Sequence, residues 1–178
     1  MTHLLRAPCV AMFFVAAGLI SSARGDADRW ADFRFLIGSW VSEGTPEQGS
    51  GSFSLEPDLK NNVLVRRNTA FVPAGKGRPA VKHEDLMVIY TERAAKEFRA
   101  SYFDSEGHVI QYSVTSMPAN KGLVFVSAPE RSAPRFRLTY TKAEGDKVAI
   151  EFEIAPPGQP DRFRKYLGGT VVRKPSDH

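Results

Sequence analysis

From Gly38 onward, short runs of alternating or β-branched residues are broken at near-regular spacing by Gly, Pro, Asn and Asp, with little helical periodicity. The pattern predicts an all-β meander with strands near Ser39–Gly44, Gly51–Glu56, Val63–Val72, His83–Thr91, Glu97–Asp104, His108–Ser116, Leu123–Ala128, Arg135–Lys142, Lys147–Ala155 and Phe163–Arg173. About ten short strands joined mostly by tight turns suit a single closed up-and-down antiparallel β-barrel, because closure removes the two edges that an open meander exposes. A two-sheet sandwich is the competing architecture.

Two turns fix strand register. Asp104-Ser105-Glu106-Gly107-His108 and Lys142-Ala143-Glu144-Gly145-Asp146 both place Gly third in a short loop, the left-handed position of a type I turn with a G1 bulge. In the second hairpin this sets Tyr140 opposite Val148, Leu138 opposite Ile150 and Phe136 opposite Phe152, with Arg137 opposite Glu151 and Arg135 opposite Glu153. One face is then apolar and the other carries ion pairs. In the first hairpin, Phe98, Ala100, Tyr102 and Asp104 share the inward face with Tyr112, Ile110 and His108, and Asp104 meets His108 beside the turn. The preceding strand has two registers. Pairing Thr91 with Lys96 turns Ile89, Met87, Asp85 and His83 inward, whereas the other turns Glu84, Leu86, Val88 and Tyr90 inward.

Ahead of the strands, Asp28–Leu36 suits a short amphipathic helix or turn that buries Trp30, Phe33 and Leu36, followed by Gly38-Ser39-Trp40. A Gly-x-Trp after such a plug resembles the lipocalin and wider calycin signature, in which the Trp closes one barrel end and packs on an Arg of the last strand. Gly38, Trp40 and Arg173 fit those structural roles, and Gly168-Gly169 permits the bend that closure needs. The stretch from Phe35 to Gly44 is also similar to the start of nitrobindin-like haem barrels. More extensively, Asp85-Leu86-Met87-Val88-Ile89-Tyr90, Tyr102-Phe103-Asp104 with Gly107-His108-Val109-Ile110, and Phe136-Arg137-Leu138-Thr139-Tyr140 resemble an uncharacterised bacterial calycin-like family of unknown function. The lipocalin Thr-Asp-Tyr triplet is absent. Nitrobindin-like barrels hold haem through a late histidine, and here the only late one is His178, in a polar tail; no cofactor is expected, haem included, and a haem-binding barrel ranks last among the readings.

Arg6, the apolar run Val10–Ile20 and the small residues Ser21-Ser22-Ala23 read as a secretory signal peptide, residues 1–23, cleaved to leave a barrel domain at residues 28–174. The run is shorter than the roughly 20 residues of a spanning helix. Export to the periplasm or outside the cell is therefore expected, with no stable membrane anchor after cleavage. The sole cysteine, Cys9, leaves with the leader, so the mature domain relies on its core. A formal charge of +4, with basic groups separated by acids, fits a solvated surface and no nucleic-acid partner.

No motif of high chemical specificity is present. Asp104 and His108, with His83 nearby, are the candidate acid–base or metal-ligating groups, since a carboxylate can orient an imidazole that titrates near neutrality. The preferred alternative is that Asp104 caps its turn and His108 merely satisfies it, so no catalytic or metal role is assigned. Adjacent Arg66 and Arg67 point to opposite faces; one of them either faces the cavity, where it would anchor a carboxylate or phosphate head group, or sits at the open rim in solvent. The expected function is to bind a small apolar or amphipathic molecule inside the barrel. Met87, Ile89, Phe98, Ile110, Phe136 and Phe152 would form the walls, and Tyr102, Tyr112, Asp104, His108, His83 or Arg67 would hold the polar end. A small barrel enzyme, isomerase or hydrolase, using Asp104 and His108 is the alternative.

Overall fold

The computed structural model describes residues 29–44, 50–75, 77 and 79–175. The proposed signal peptide lies outside the described residues. Ten strands follow in order: β1 (Gly38–Ser42), β2 (Ser50–Asp58), β3 (Val63–Val72), β4 (Val81–Glu92), β5 (Glu97–Asp104), β6 (Val109–Ser116), β7 (Gly122–Ser127), β8 (Arg135–Ala143), β9 (Lys147–Ala155) and β10 (Arg164–Arg173). Each pairs with its sequence neighbours, and β1 pairs with β10, so the sheet is a closed antiparallel up-and-down barrel rather than a sandwich. Strand pairing satisfies the backbone all round, leaving no open sheet edge.

A 3₁₀ turn, Ala31–Phe33, precedes β1 and buries Phe33 together with Trp30 and Leu36 against one end of the barrel. Phe98 belongs to this plug: its ring stacks on Trp30 at 5.5 Å and meets Phe33 edge-on at 4.9 Å. Closure is made at the same end. Trp40 lies opposite Arg173, whose guanidinium sits 4.5 Å from the indole ring. Arg173 Nη1 also donates to the Ile37 carbonyl at 2.9 Å. A Cβ at Gly38 would stand 2.8 Å from that nitrogen, and Gly38 has a φ of +121°, so space and backbone conformation both require glycine there. The irregularity in β10 falls between Lys165 and Leu167, just ahead of Gly168-Gly169.

The β5–β6 hairpin has the expected register, with Tyr102 opposite Ile110 and Ala100 opposite Tyr112, and Gly107 takes a φ of +89° in the turn. The β8–β9 hairpin keeps the expected faces but shifts its partners by two residues: Leu138 opposes Phe152, Tyr140 opposes Ile150 and Arg137 opposes Glu153. The turn is the cause. Gly145 and Asp146 both adopt positive φ, so the loop is Glu144-Gly145-Asp146, closed by Ala143 and Lys147. An even shift preserves parity, which is why the apolar face survives. Arg135, opposite Ala155 instead of Glu153, pairs with Asp161 at 3.0 Å. The β4–β5 pair shifts similarly, with Thr91 opposite Phe98, and turns Ile89, Met87, Asp85 and His83 to the inside.

Burial along the inner rows is graded. Towards the plug, Leu64, Met87, Ile89, Ala100, Leu123, Phe125, Tyr140 and Val148 are all at most 1% exposed. Towards the other end the same rows open: Tyr102, Ile110, Phe136, Ile150 and Phe152 are half-buried, and Leu167, opposite Phe152, is 53% exposed. The lower half is therefore a packed core and the upper half an open mouth.

Candidate functional site

The polar side of the mouth is built by β3, β4, β5 and the β5–β6 turn, facing the apolar wall of β6, β8, β9 and β10. Within β3, Leu64 and Arg66 are buried while Arg67 is exposed. Arg66, not Arg67, is thus the inward arginine, and Arg67 is corrected to the outer wall. The run Val63-Leu64-Val65 is apolar at every position and offers no parity from which the choice can be read.

Arg66 pairs through Nη1 with Asp85, whose carboxylate also accepts from Asn68 Nδ2 at 2.7 Å. The Arg66 guanidinium lies 5.1 Å above the Phe53 ring. Burial opposes the charge of Arg66, but Tyr140 and Asp85 outweigh it and its pKa is raised. Among the described residues, neither Arg66 Nε nor the Tyr140 hydroxyl, both buried, has a hydrogen-bond partner.

Above Asp85 stands His83. Its Nε2 is 3.1 Å from the Tyr102 hydroxyl and 3.3 Å from Asp85 Oδ2, while Nδ1 is 2.8 Å from Glu106 Oε2. Tyr102 in turn reaches Asp104 Oδ2 at 3.4 Å. Asp104 and His108 do meet, with Nδ1 to Oδ2 at 2.8 Å. The other oxygen, Oδ1, caps the turn, accepting the backbone N–H of His108 at 2.8 Å and of Glu106 at 3.1 Å. Burial opposes ionisation of Asp104, yet the His108 backbone and ring and the Glu106 backbone outweigh it and hold its carboxyl below the usual range. Burial raises the pKa of Tyr102, Tyr112 and Tyr140, which stay protonated at neutral pH.

The residues expected at the site therefore divide. Asp104, His83 and Tyr102 converge, whereas the His108 ring is 67% exposed at the rim. Tyr112 and Met87, at 3% and 0% exposure, lie in the packed half, as does Ile89; Phe98 serves the plug. Two groups escaped the sequence reading as site residues, Asp85 and Glu106 on the turn, while Arg66, the partner of Asp85, was one of two arginines between which it did not choose correctly. Only the sense of β4 hinted at Asp85, since the register that turns His83 inward turns Asp85 inward too. Glu106 sits in a loop, where strand parity has nothing to say.

Two surface concavities lie on the outer wall. The larger, about 360 Å³, is lined by Thr139, Thr141, Glu151, Lys165 and Thr170 across β8, β9 and β10, away from the histidines. The smaller lies around Tyr90, Arg99 and Gln111. Among the described residues no helix is long and apolar enough to cross a membrane. Comparison with protein-family models and with curated proteins finds no match for this chain.

Proposed function

We propose that the chain is an exported, calycin-like small-molecule-binding barrel that holds an apolar or amphipathic ligand in its open half. The observation that carries this reading is the graded inner wall: inward-facing Ile110, Phe136, Ile150, Phe152 and Leu167 remain partly exposed, although the same rows are sealed nearer the plug. Apolar side chains left partly exposed on an inward-facing wall offer a surface on which an apolar ligand body can pack. The ligand body lies on this wall, and its polar end meets Tyr102 and His83. Export follows from Val10–Ile20 and the small residues after it.

The test is binding of an anilinonaphthalene dye to the mature chain, with displacement by long-chain amphiphiles. Phe152→Asp in the mouth should abolish binding. Phe103→Ser, on the outer wall at 40% exposure, should leave it intact. Binding unaffected by Phe152→Asp would place the dye elsewhere and refute the reading.

The second reading, a small isomerase or hydrolase, rests on the 2.8 Å contact between His108 and Asp104. It ranks lower because the imidazole faces largely into solvent and Asp104 is engaged in capping its turn.

A further inference from the structure

We propose that His83, Asp104 and Glu106 form a binding site for one divalent transition-metal ion at the barrel mouth. One donor atom from each side chain lies within 4.8 Å of the others. Bonds of about 2.0–2.2 Å to nitrogen and oxygen require only a small contraction of that triangle, and the Glu106 side chain, 41% exposed on a turn, can supply it.

The chemistry around the three groups points the same way. Asp85, 4% exposed and fixed by Arg66 and Asn68, lies 3.3 Å from His83 Nε2, which also meets the Tyr102 hydroxyl at 3.1 Å, while Nδ1 faces Glu106. A carboxylate behind one imidazole nitrogen, orienting the other as a ligand, is the usual outer-sphere arrangement of a metal-bound histidine. His83 Nδ1 and Glu106 Oε2 lie 2.8 Å apart, close to the separation of two adjacent donors on one bound ion. Asp104 Oδ1 is taken by the backbone N–H groups of Glu106 and His108, so Oδ2, held by His108 Nδ1 and only 3.4 Å from the Tyr102 hydroxyl, is the oxygen that would bind the ion in place of Tyr102.

The setting is rich in acids: Asp85, Asp104 and Glu106 gather here with one guanidinium, Arg66, which is paired with Asp85. The scaffold is also held in place: Ser105 N–H donates to the Glu84 carbonyl at 2.9 Å and the Glu84 N–H to Ser105 Oγ at 3.2 Å, tying the turn that carries Glu106 to the strand that carries His83. One imidazole with two carboxylates suits Mn²⁺, Fe²⁺, Co²⁺ or Zn²⁺ rather than Mg²⁺ or Cu⁺.

Titration of chelator-treated mature protein with Co²⁺, followed by visible absorption and calorimetry, tests this independently of any lumen ligand. One ion per chain should bind, with affinity falling at least tenfold in His83→Ala and in Glu106→Gln and unchanged in Glu84→Gln. If His83→Ala fails to unfold cooperatively, His83→Gln replaces it. Absence of Co²⁺ and Zn²⁺ uptake at submillimolar concentration, or an equal response in all three variants, would overturn the site. Metal uptake without dye binding, or the reverse, separates this proposal from the lumen reading.

Discussion

Asp85 lies directly opposite Asp104 across the β4–β5 pair, and the two side chains are only 4% and 6% exposed. Like charges facing each other destabilise a strand pair. Here each carboxylate turns to a different set of donors: Asp85 to Arg66 and Asn68, Asp104 to His108 and its own turn. The mouth thus keeps two buried acids in place by hydrogen bonding that begins on β3 and ends at the β5–β6 turn.

Breaking one member of the Arg66–Asp85 pair should be severe. Arg66→Met leaves a buried carboxylate without its cation and should cost roughly 3–5 kcal/mol in urea unfolding, as should Asp85→Leu, which strands Arg66. The double variant should lose clearly less than the sum of the two. Additive losses would show that the pair is not coupled.

At the plugged end, Trp40→Ala removes a buried indole and should cost about 3–5 kcal/mol. Arg173→Ala, which loses the ring contact and a bond to the Ile37 carbonyl, should cost about 1–3 kcal/mol. Equal, small losses at both positions in chemical denaturation would contradict closure at this end.

The corrected β8–β9 register has its own signature. Glu153 is 8% exposed and takes two hydrogen bonds from Arg137, the Nη2 bond at 2.6 Å, whereas Glu151 is more open and paired with Lys165 at 3.3 Å. Arg137→Ala should therefore cost about 1.5–3 kcal/mol, and Glu151→Ala no more than about 1 kcal/mol. Leu138→Ala, on the inner face, should cost roughly 2–5 kcal/mol. A larger loss at Glu151 than at Arg137 would restore the register expected from the turn.

Asp104 has a carboxyl pKa lowered in the folded chain, where burial opposes the shift and hydrogen bonds from His108 and Glu106 prevail. Its stabilisation is complete above the unfolded value, about 4, and is lost as pH falls through the lower folded value. Asp104→Asn should cost about 0.5–2 kcal/mol at pH 7, by analogy with helix caps, and should flatten the fall of stability below about pH 4. Thermal unfolding between pH 7 and pH 2 measures both. Identical slopes for wild type and variant would exclude the cap as a source of acid sensitivity.

Much of the architecture is local and so could be read from the chain. Alternation along β5, β6, β8 and β9, the left-handed Gly107, and Gly38 with Trp40 after an amphipathic plug each concern residues close in sequence, and together they implied strand number, inner faces and closure. Partner identity at the second turn was less legible. Asp146 as well as Gly145 takes positive φ, which moved Arg137 from Glu151 to Glu153.

The site was legible only where it shares a hairpin. Asp104 and His108 flank one turn, so local register placed them face to face. Arg66, Asp85, His83 and Glu106 come from β3, β4 and a loop, and their meeting depends on the stagger between strands that no local pattern sets. The division of the inner wall into a sealed half and an open mouth likewise belongs to the tertiary structure. Met87 and Phe152 are both inward and apolar by sequence, but only barrel closure and the seating of Trp30 and Phe33 at one end decide which of them is packed and which stays partly exposed. Side-chain direction is a property of a strand, whereas enclosure is a property of the whole barrel.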